Sequence, residues 1–170
     1  MNQELQKTDP QTVSVPADVS VGAMQSALAG DLSQLTGSDR LKYYGALCQF
    51  VGLNPLSRPF EWISFQGKLT LYANKGCAEQ LRKIHGVSLE IVERIVQNDV
   101  LIVRIRATDR DGRKDEAIGA VVWPKGPVDQ AKAHLVCETK GKRRVTLSIC
   151  GLGMLDETEI DSVKGARQPS

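Results

Sequence analysis

Residues 87–123 read VSLEIVERIVQNDVLIVRIRATDRDGRKDEAIGAVVW, and this stretch decides the fold. Upstream of it apolar residues recur at helical spacing. Within it they recur at every second position, the period of a strand with one buried face. Val87, Leu89, Ile91 and Ile95 alternate with Ser88, Glu90 and Arg94. Asn98-Asp99 turns the chain into Val100–Thr108, where Leu101, Val103, Ile105 and Ala107 share one face and Arg104, Arg106 and Thr108 the other. A turn at Arg110-Asp111-Gly112 leads to a third strand ending near Trp123, and Pro124 and Pro127 close the sheet. The spacing beyond predicts one long helix, from about Val128 to Ile149, stopped by Gly151 and Gly153.

Working upstream, Asn74 is suited to cap a helix with Cys77, Ala78, Leu81 and Ile84 on its inner face and Gly86 as its stop. Before it, PFEWISF and KLTLYA flank Gln66-Gly67 and predict a β-hairpin. Asn54-Pro55 and Arg58-Pro59 break the chain after a helix that starts at Ser38, its N-cap candidate. That helix carries Leu41, Tyr44, Leu47, Cys48 and Val51 as far as Gly52. A short helix is expected roughly over residues 21–35, after a polar opening with two prolines. The expected fold is α+β: an antiparallel β-meander with a long helix packed on it, a β-β-β-α core preceded by helices and a β-hairpin. The expected organisation is a flexible arm with a short helix over 1–36, one core domain over 37–155 and an acidic tail over 156–170.

The chain's 170 residues suit one domain, and 41% hydrophobic with 25% charged residues allows a real core. There is no apolar run long enough to span a bilayer and no secretion-signal layout at the start, so a cytoplasmic location is expected. Cys48, Cys77, Cys137 and Cys150 form no CxxC pair and are expected to be buried thiols. The net charge of +2 is unevenly spread: residues 1–40 balance to −3, residues 41–151 to +7 and residues 152–170 to −2. A basic middle between acidic ends suits a core that binds a polyanion.

On the last helix Lys132, Lys140, Arg143 and Arg144 fall in one arc, with Ala131, Leu135, Val145 and Ile149 opposite, suited to packing on the sheet, and with Lys142 apart. Arg104 and Arg106 form a second basic row on the polar face of the central strand. Two adjacent arginines need an outlet for their charge, and a phosphate backbone lying in a groove between strand and helix supplies one. Lys68, Lys75 and Arg82 offer a further basic set upstream. Enzymatic signatures are weak. No GxxxxGK[ST] is present, Gln66-Gly67-Lys68 lacks the upstream glycine, and His85 and His134 have no partners at metal-ligand spacing. Asp109, Asp111, Asp115 and Glu116 read as a hairpin turn with polar ends rather than a metal loop.

Taken together, IVRIRATDRDGRKDEAIGAVV and AKAHLVCETKGKRRVTLSICGLG resemble the β-β-β-α core of the Rad-fifty-two superfamily of single-strand annealing proteins. The matching residues are Val103-Arg104-Ile105, Asp111-Gly112, Glu116 and Gly119, then Thr139, Gly141, Arg143 and Arg144. Upstream, GLNPLSRPFEWISFQGKLTLYANKGCAEQLRKIHG is similar to phage and prophage recombination proteins carrying this core. The resemblance implies that Arg104, Arg143 and Arg144 face bound DNA. Two departures stand out: Leu147 replaces a further basic residue one turn on, and Arg143 replaces a lysine. Gly141 costs about 1 kcal/mol of helix propensity relative to alanine, so a glycine here suggests close packing against a neighbour.

The function expected is ATP-independent binding of single-stranded DNA and annealing of complementary strands in homologous recombination, by a ring or filament of identical subunits, with no covalent chemistry and no cofactor. A phage exonuclease or a host single-strand binding protein is a further partner the resemblance implies; no membrane is expected. The alternatives are a passive module protecting single-stranded DNA or RNA, against which the sparse aromatics (5%) count, and a non-enzymatic adaptor of the same fold. The acidic tail could mimic DNA or meet a basic partner.

Overall fold

Two turns fix the meander. At Asn98 (φ 49°) and Asp99 (φ 58°) the backbone enters the left-handed region twice in succession, as a two-residue hairpin loop requires. Gly112 (φ 80°) does so once in the next turn. In the computed structural model, residues 19–154 are described. They form α1 (Val21–Leu28), α2 (Gly37–Val51), a 3-10 turn (Pro55–Ser57), β1 (Phe60–Phe65), β2 (Lys68–Ala73), α3 (Lys75–His85), β3 (Ser88–Gln97), β4 (Val100–Thr108), β5 (Lys114–Val122) and α4 (Pro127–Ile149). β1 and β2 pair as a hairpin, β3, β4 and β5 make an antiparallel sheet with β4 central, and α4 packs on β4 and β5. The architecture is the expected α+β meander with a long helix. Residues 1–18, most of the expected arm, and 155–170, which hold the acidic tail, lie outside the described residues.

Local differences have local causes. α1 stops at Leu28, and Gly30 (φ 69°) turns the chain so that Leu32 and Leu35 enter the core outside a helix, Leu32 N donating to Leu69 O at 2.8 Å. Thr36 rather than Ser38 caps α2, its hydroxyl accepting from Asp39 N. Leu41 of α2 is 77% exposed and Ile84 of α3 is 40% exposed, so neither joins the buried face expected for it. In β3 the register shifts between Ile91 and Glu93, leaving Val92 as an extra residue. Such a bulge reverses which side chains face inward. Arg94 therefore stands opposite Val103 on the helix side and Ile95 opposite Ile102 on the open side, the reverse of the simple alternation.

Two apolar clusters result. One joins α1, α2, the hairpin and α3 with Leu147 of α4; the other joins Leu101, Val103, Ile105 and Ala107 of β4 with Ala133, Cys137, Val145 and Ile149 of α4. Between helix and sheet lie Gly119 of β5 and Gly141 of α4. A Cβ on Gly119 would fall 1.9 Å from the Cys137 carbonyl oxygen, and one on Gly141 would fall 2.9 Å from Gly119 N. Close packing at Gly141 is thus the reason for a glycine in mid-helix. The turn after β4 fastens both helix ends: Arg110 Nη2 donates to Ile84 O at 3.0 Å, and Arg113 Nη2 donates to Ile149 O. Cationic donors on the last carbonyls of a helix meet its negative end.

Gly119→Ala is expected to lower stability by about 3 kcal/mol, the upper end of the usual overpacking cost. Gly141→Ala gains about 1 kcal/mol of helix propensity, yet it should still destabilise, because backbone and Ile105 leave the new methyl no room. Urea midpoints of the two variants against the parent chain check both signs.

Candidate nucleic-acid interface

α4 meets the rest of the molecule through two stripes. Ala133, Cys137, Gly141, Val145 and Ile149, four apart, are buried toward the sheet; Arg143, Thr146 and Leu147 are buried on the side of α3 and the first core. Ala131 and Leu135, expected against the sheet, are exposed, Leu135 by 72%. Small side chains selected the contacting face, because only they let the helix lie on Gly119, while the larger apolar groups project outward.

The rotation divides the expected basic arc. Arg143 is only 3% exposed and lines, with Lys75, Ala78, Glu79, Arg82, Thr139 and Lys142, a cavity of about 180 Å³ between α3 and α4. Asn74 sets the start of α3 by accepting from Cys77 N, which places Lys75 and Arg82 along this cavity. Arg82 Nη1 donates to Thr146 Oγ1 at 3.2 Å, and burial lowers the Arg82 pKa from its usual value. Lys142 pairs with Glu138, which also accepts from Arg94 at 3.2 Å, and Lys75 lies 3.6 Å from Glu79. Lys75 stands at the exposed rim, Arg143 in the buried wall.

On the other side of α4, Arg144 is exposed, its Nη1 donating to Ile118 O at 3.5 Å. It lines a pocket of about 370 Å³ with Arg104, Glu116, Ala117, Ile118 and Ser148. Arg104 and Arg144 are thus brought together, while Arg143 joins Lys75, Arg82 and Lys142. The strand arginines have an outlet within the sheet. Arg104 is 3.5 Å from Glu93 and 3.9 Å from Glu116; Arg106 is 2.8 Å from Glu116 and 3.5 Å from Glu90. Glu116 first, then Glu90, raise the pKa of Arg106. Lys132, Lys140 and Lys68 line neither basic cavity.

Asp109 closes its turn, accepting from the amides of Asp111 and Arg113 and from Arg113 Nε. His134 sits edge-on to Trp123 at 5.2 Å. Among the described residues no group of three or more His, Cys, Asp or Glu is placed to hold a metal ion, and no helix is long and apolar enough to cross a membrane. The hydroxyls of Thr139 and Ser148 and the capping roles of Arg110 and Arg113 were not singled out by spacing. The basic residues flanking Asp111-Gly112 were the available signal for the caps. No protein-family model matches the chain, and no curated protein matches it.

All four cysteines are free, with Cys48, Cys77 and Cys137 buried. Desolvation pushes the Cys77 thiol up to about 12 and raises the other three as well. Between about pH 9 and pH 12 the unfolded chain gives up a thiol proton that folded Cys77 keeps, so stability is expected to fall as pH rises through that window. Denaturant titrations across the range check the slope, which should be shallower in Cys77→Ala whatever the absolute stability of that variant.

Proposed function

We propose that the protein binds single-stranded DNA through its phosphates and anneals complementary strands as a homo-oligomer, without ATP or a cofactor. The observation that carries this reading is the α3–α4 cavity, where Lys75, Arg82, Lys142 and Arg143 converge against one lining carboxylate, Glu79. Phosphate oxygens accept the forked hydrogen bonds a guanidinium offers, and a cluster of cations on two packed helices gives a phosphate several charge-assisted contacts at once. The Arg104 and Arg144 pocket flanks the same part of α4 from the sheet side and adds a second contact. The ordered likeness to the annealing core supports the same reading, since Thr139, Gly141, Arg143, Arg144 and Arg104 border these two cavities or set α4 against the sheet. The reaction is one of gathering strands and screening their repulsion, so the gain in rate comes from proximity.

Self-association has its own support. Among the described residues β3 and β5 each pair only with β4, so both sheet edges are open, and Val92, Ile95 and Val96 are 40%, 41% and 45% exposed along β3. Open edges invite pairing with another chain. Native mass spectrometry at micromolar concentration is expected to give multiples of 18.6 kDa, with or without oligonucleotide. A strict monomer would count against annealing by an assembly.

Lys75→Gln and Arg144→Gln change exposed side chains on the two cavities. Each should weaken binding to every single-stranded sequence about equally and make the salt slope of log K shallower by about 0.7, one counterion fewer. Lys42→Gln, exposed on α2, controls for net charge. Fluorescence anisotropy from low to moderate salt reads both quantities, and an annealing assay with a passive binder as control separates annealing from protection. Wild-type slopes in both variants would remove the phosphate contacts and the reading with them.

A further inference from the structure

A third cavity, of about 460 Å³, lies between α2 and the hairpin and differs from the two basic ones in its aromatic lining. Its walls include Arg40, Leu41, Tyr44, Arg58, Phe60 and Trp62. The Arg40 guanidinium lies 5.9 Å from the centre of the Trp62 ring and donates to Ser33 O at 3.1 Å, while its Nε is buried and makes no hydrogen bond. Arg94, Arg104, Arg106 and Arg113 each have a carboxylate within reach; among the described residues Arg40 and Arg58 have none. The acidic residue of the lining, Glu61, is engaged by Tyr72 at 2.8 Å and Asn74 at 3.3 Å.

Arg58 is held at φ 52°, a left-handed backbone that an arginine rarely adopts, by Asn74 Nδ2 on its carbonyl at 2.7 Å and by its own amide on Pro55 O at 3.0 Å. Such a conformation persists only where the surroundings impose it, commonly at binding sites. Leu41 adds an apolar side chain that is 77% exposed. Two guanidinium groups that form no ion pair among the described residues, beside an aromatic and aliphatic wall, match a peptide that is both acidic and apolar.

The chain carries such a peptide where it could arrive. Met154, the last described residue, lines a small cavity with Tyr43, Thr70 and Leu71. Leu71 pairs across the hairpin with Trp62, and Tyr44 follows Tyr43 on α2. The Met154 cavity and the Trp62 cavity are thus lined by neighbouring residues of α2 and by paired residues of the hairpin. The next seven residues, Leu155, Asp156, Glu157, Thr158, Glu159, Ile160 and Asp161, carry four carboxylates and no cation. Extended, they reach about 23 Å.

We infer that the Arg40–Arg58–Trp62 cavity is the docking site of the chain's own segment 155–161, carboxylates on the two arginines and Ile160 on the apolar wall. This inference is independent of the nucleic-acid reading.

The test uses the full chain with Trp123→Phe, leaving Trp62 as the one tryptophan. Acrylamide quenching of Trp62 is measured in this protein and in a companion carrying Asp156→Asn, Glu157→Gln, Glu159→Gln and Asp161→Asn. The quenching constant is expected to rise about twofold in the companion, and by a similar factor in the parent at about 1 M salt, where ion pairs are screened. Arg40→Glu with Arg58→Glu should expose Trp62 likewise, and changing the four tail carboxylates to lysine should restore protection in that background. Should the arginine variant fail to fold, the tail companion still decides. Equal quenching with neutral and acidic tails overturns the inference. Protection that fades on dilution assigns the cavity to the tail of a second copy, and protection that depends on added oligonucleotide instead of the tail assigns it to nucleic acid; either result also overturns it.

Discussion

The contact between Gly119 and Gly141 sets the distance of α4 from the sheet, and the remaining geometry follows from that distance. Two positions that would each be weakened by glycine, one in a strand and one in mid-helix, are compatible because both backbones use the space. With the helix seated this low, Ala133 and Cys137 suffice to complete the inner stripe, and Arg144 reaches the Ile118 carbonyl over the edge of β5. The opposite side of α4 is brought against α3, where Thr146 meets Arg82.

The cations of the middle region divide between the open face of the sheet and the α3–α4 cavity. On the open face of the sheet, Glu90, Glu93 and Glu116 stand beside Arg104 and Arg106, and cross-strand pairing in the observed register puts them there. These exposed ion pairs contribute little to stability, but they lower the charge that the strand row presents to a polyanion. In the α3–α4 cavity Lys142 and Lys75 likewise have Glu138 and Glu79 at hand, while the Arg143 side chain lies buried in the wall. A charge held at depth is screened less by solvent than the same charge on an exposed face.

The meander was legible in the sequence because β4 alternates without a fault from Leu101 to Ala107 and both of its turns carry residues that accept unusual backbone angles. α3 was legible from Asn74 and Gly86, which occupy the two caps expected of them. The phase of β3 after Val92 was not, since a bulge leaves an uninterrupted run of strand-forming residues and no glycine to mark it. The buried face of α4 was hidden for a related reason: hydrophobicity ranks Leu135 above Ala133 and Gly141, whereas the contact with Gly119 rewards small volume. The same limit applies to the basic residues. Lys75 and Arg82 stand far from Lys142 and Arg143 in the chain, and only the packing of α3 on α4 brings them to one cavity.

The extra residue at Val92 has a geometric consequence for any contact made along the free side of β3. A bulge tightens the right-handed coil of a strand and interrupts the even spacing of its outward amides and carbonyls. A neighbouring strand could keep an unbroken ladder only over Ser88–Ile91 or over Glu93–Gln97, four residues or five. Short ladders on a coiled edge favour contacts that rotate each unit relative to the last, and a fixed rotation per unit leads toward curved or closed arrangements instead of flat, indefinitely extended stacks.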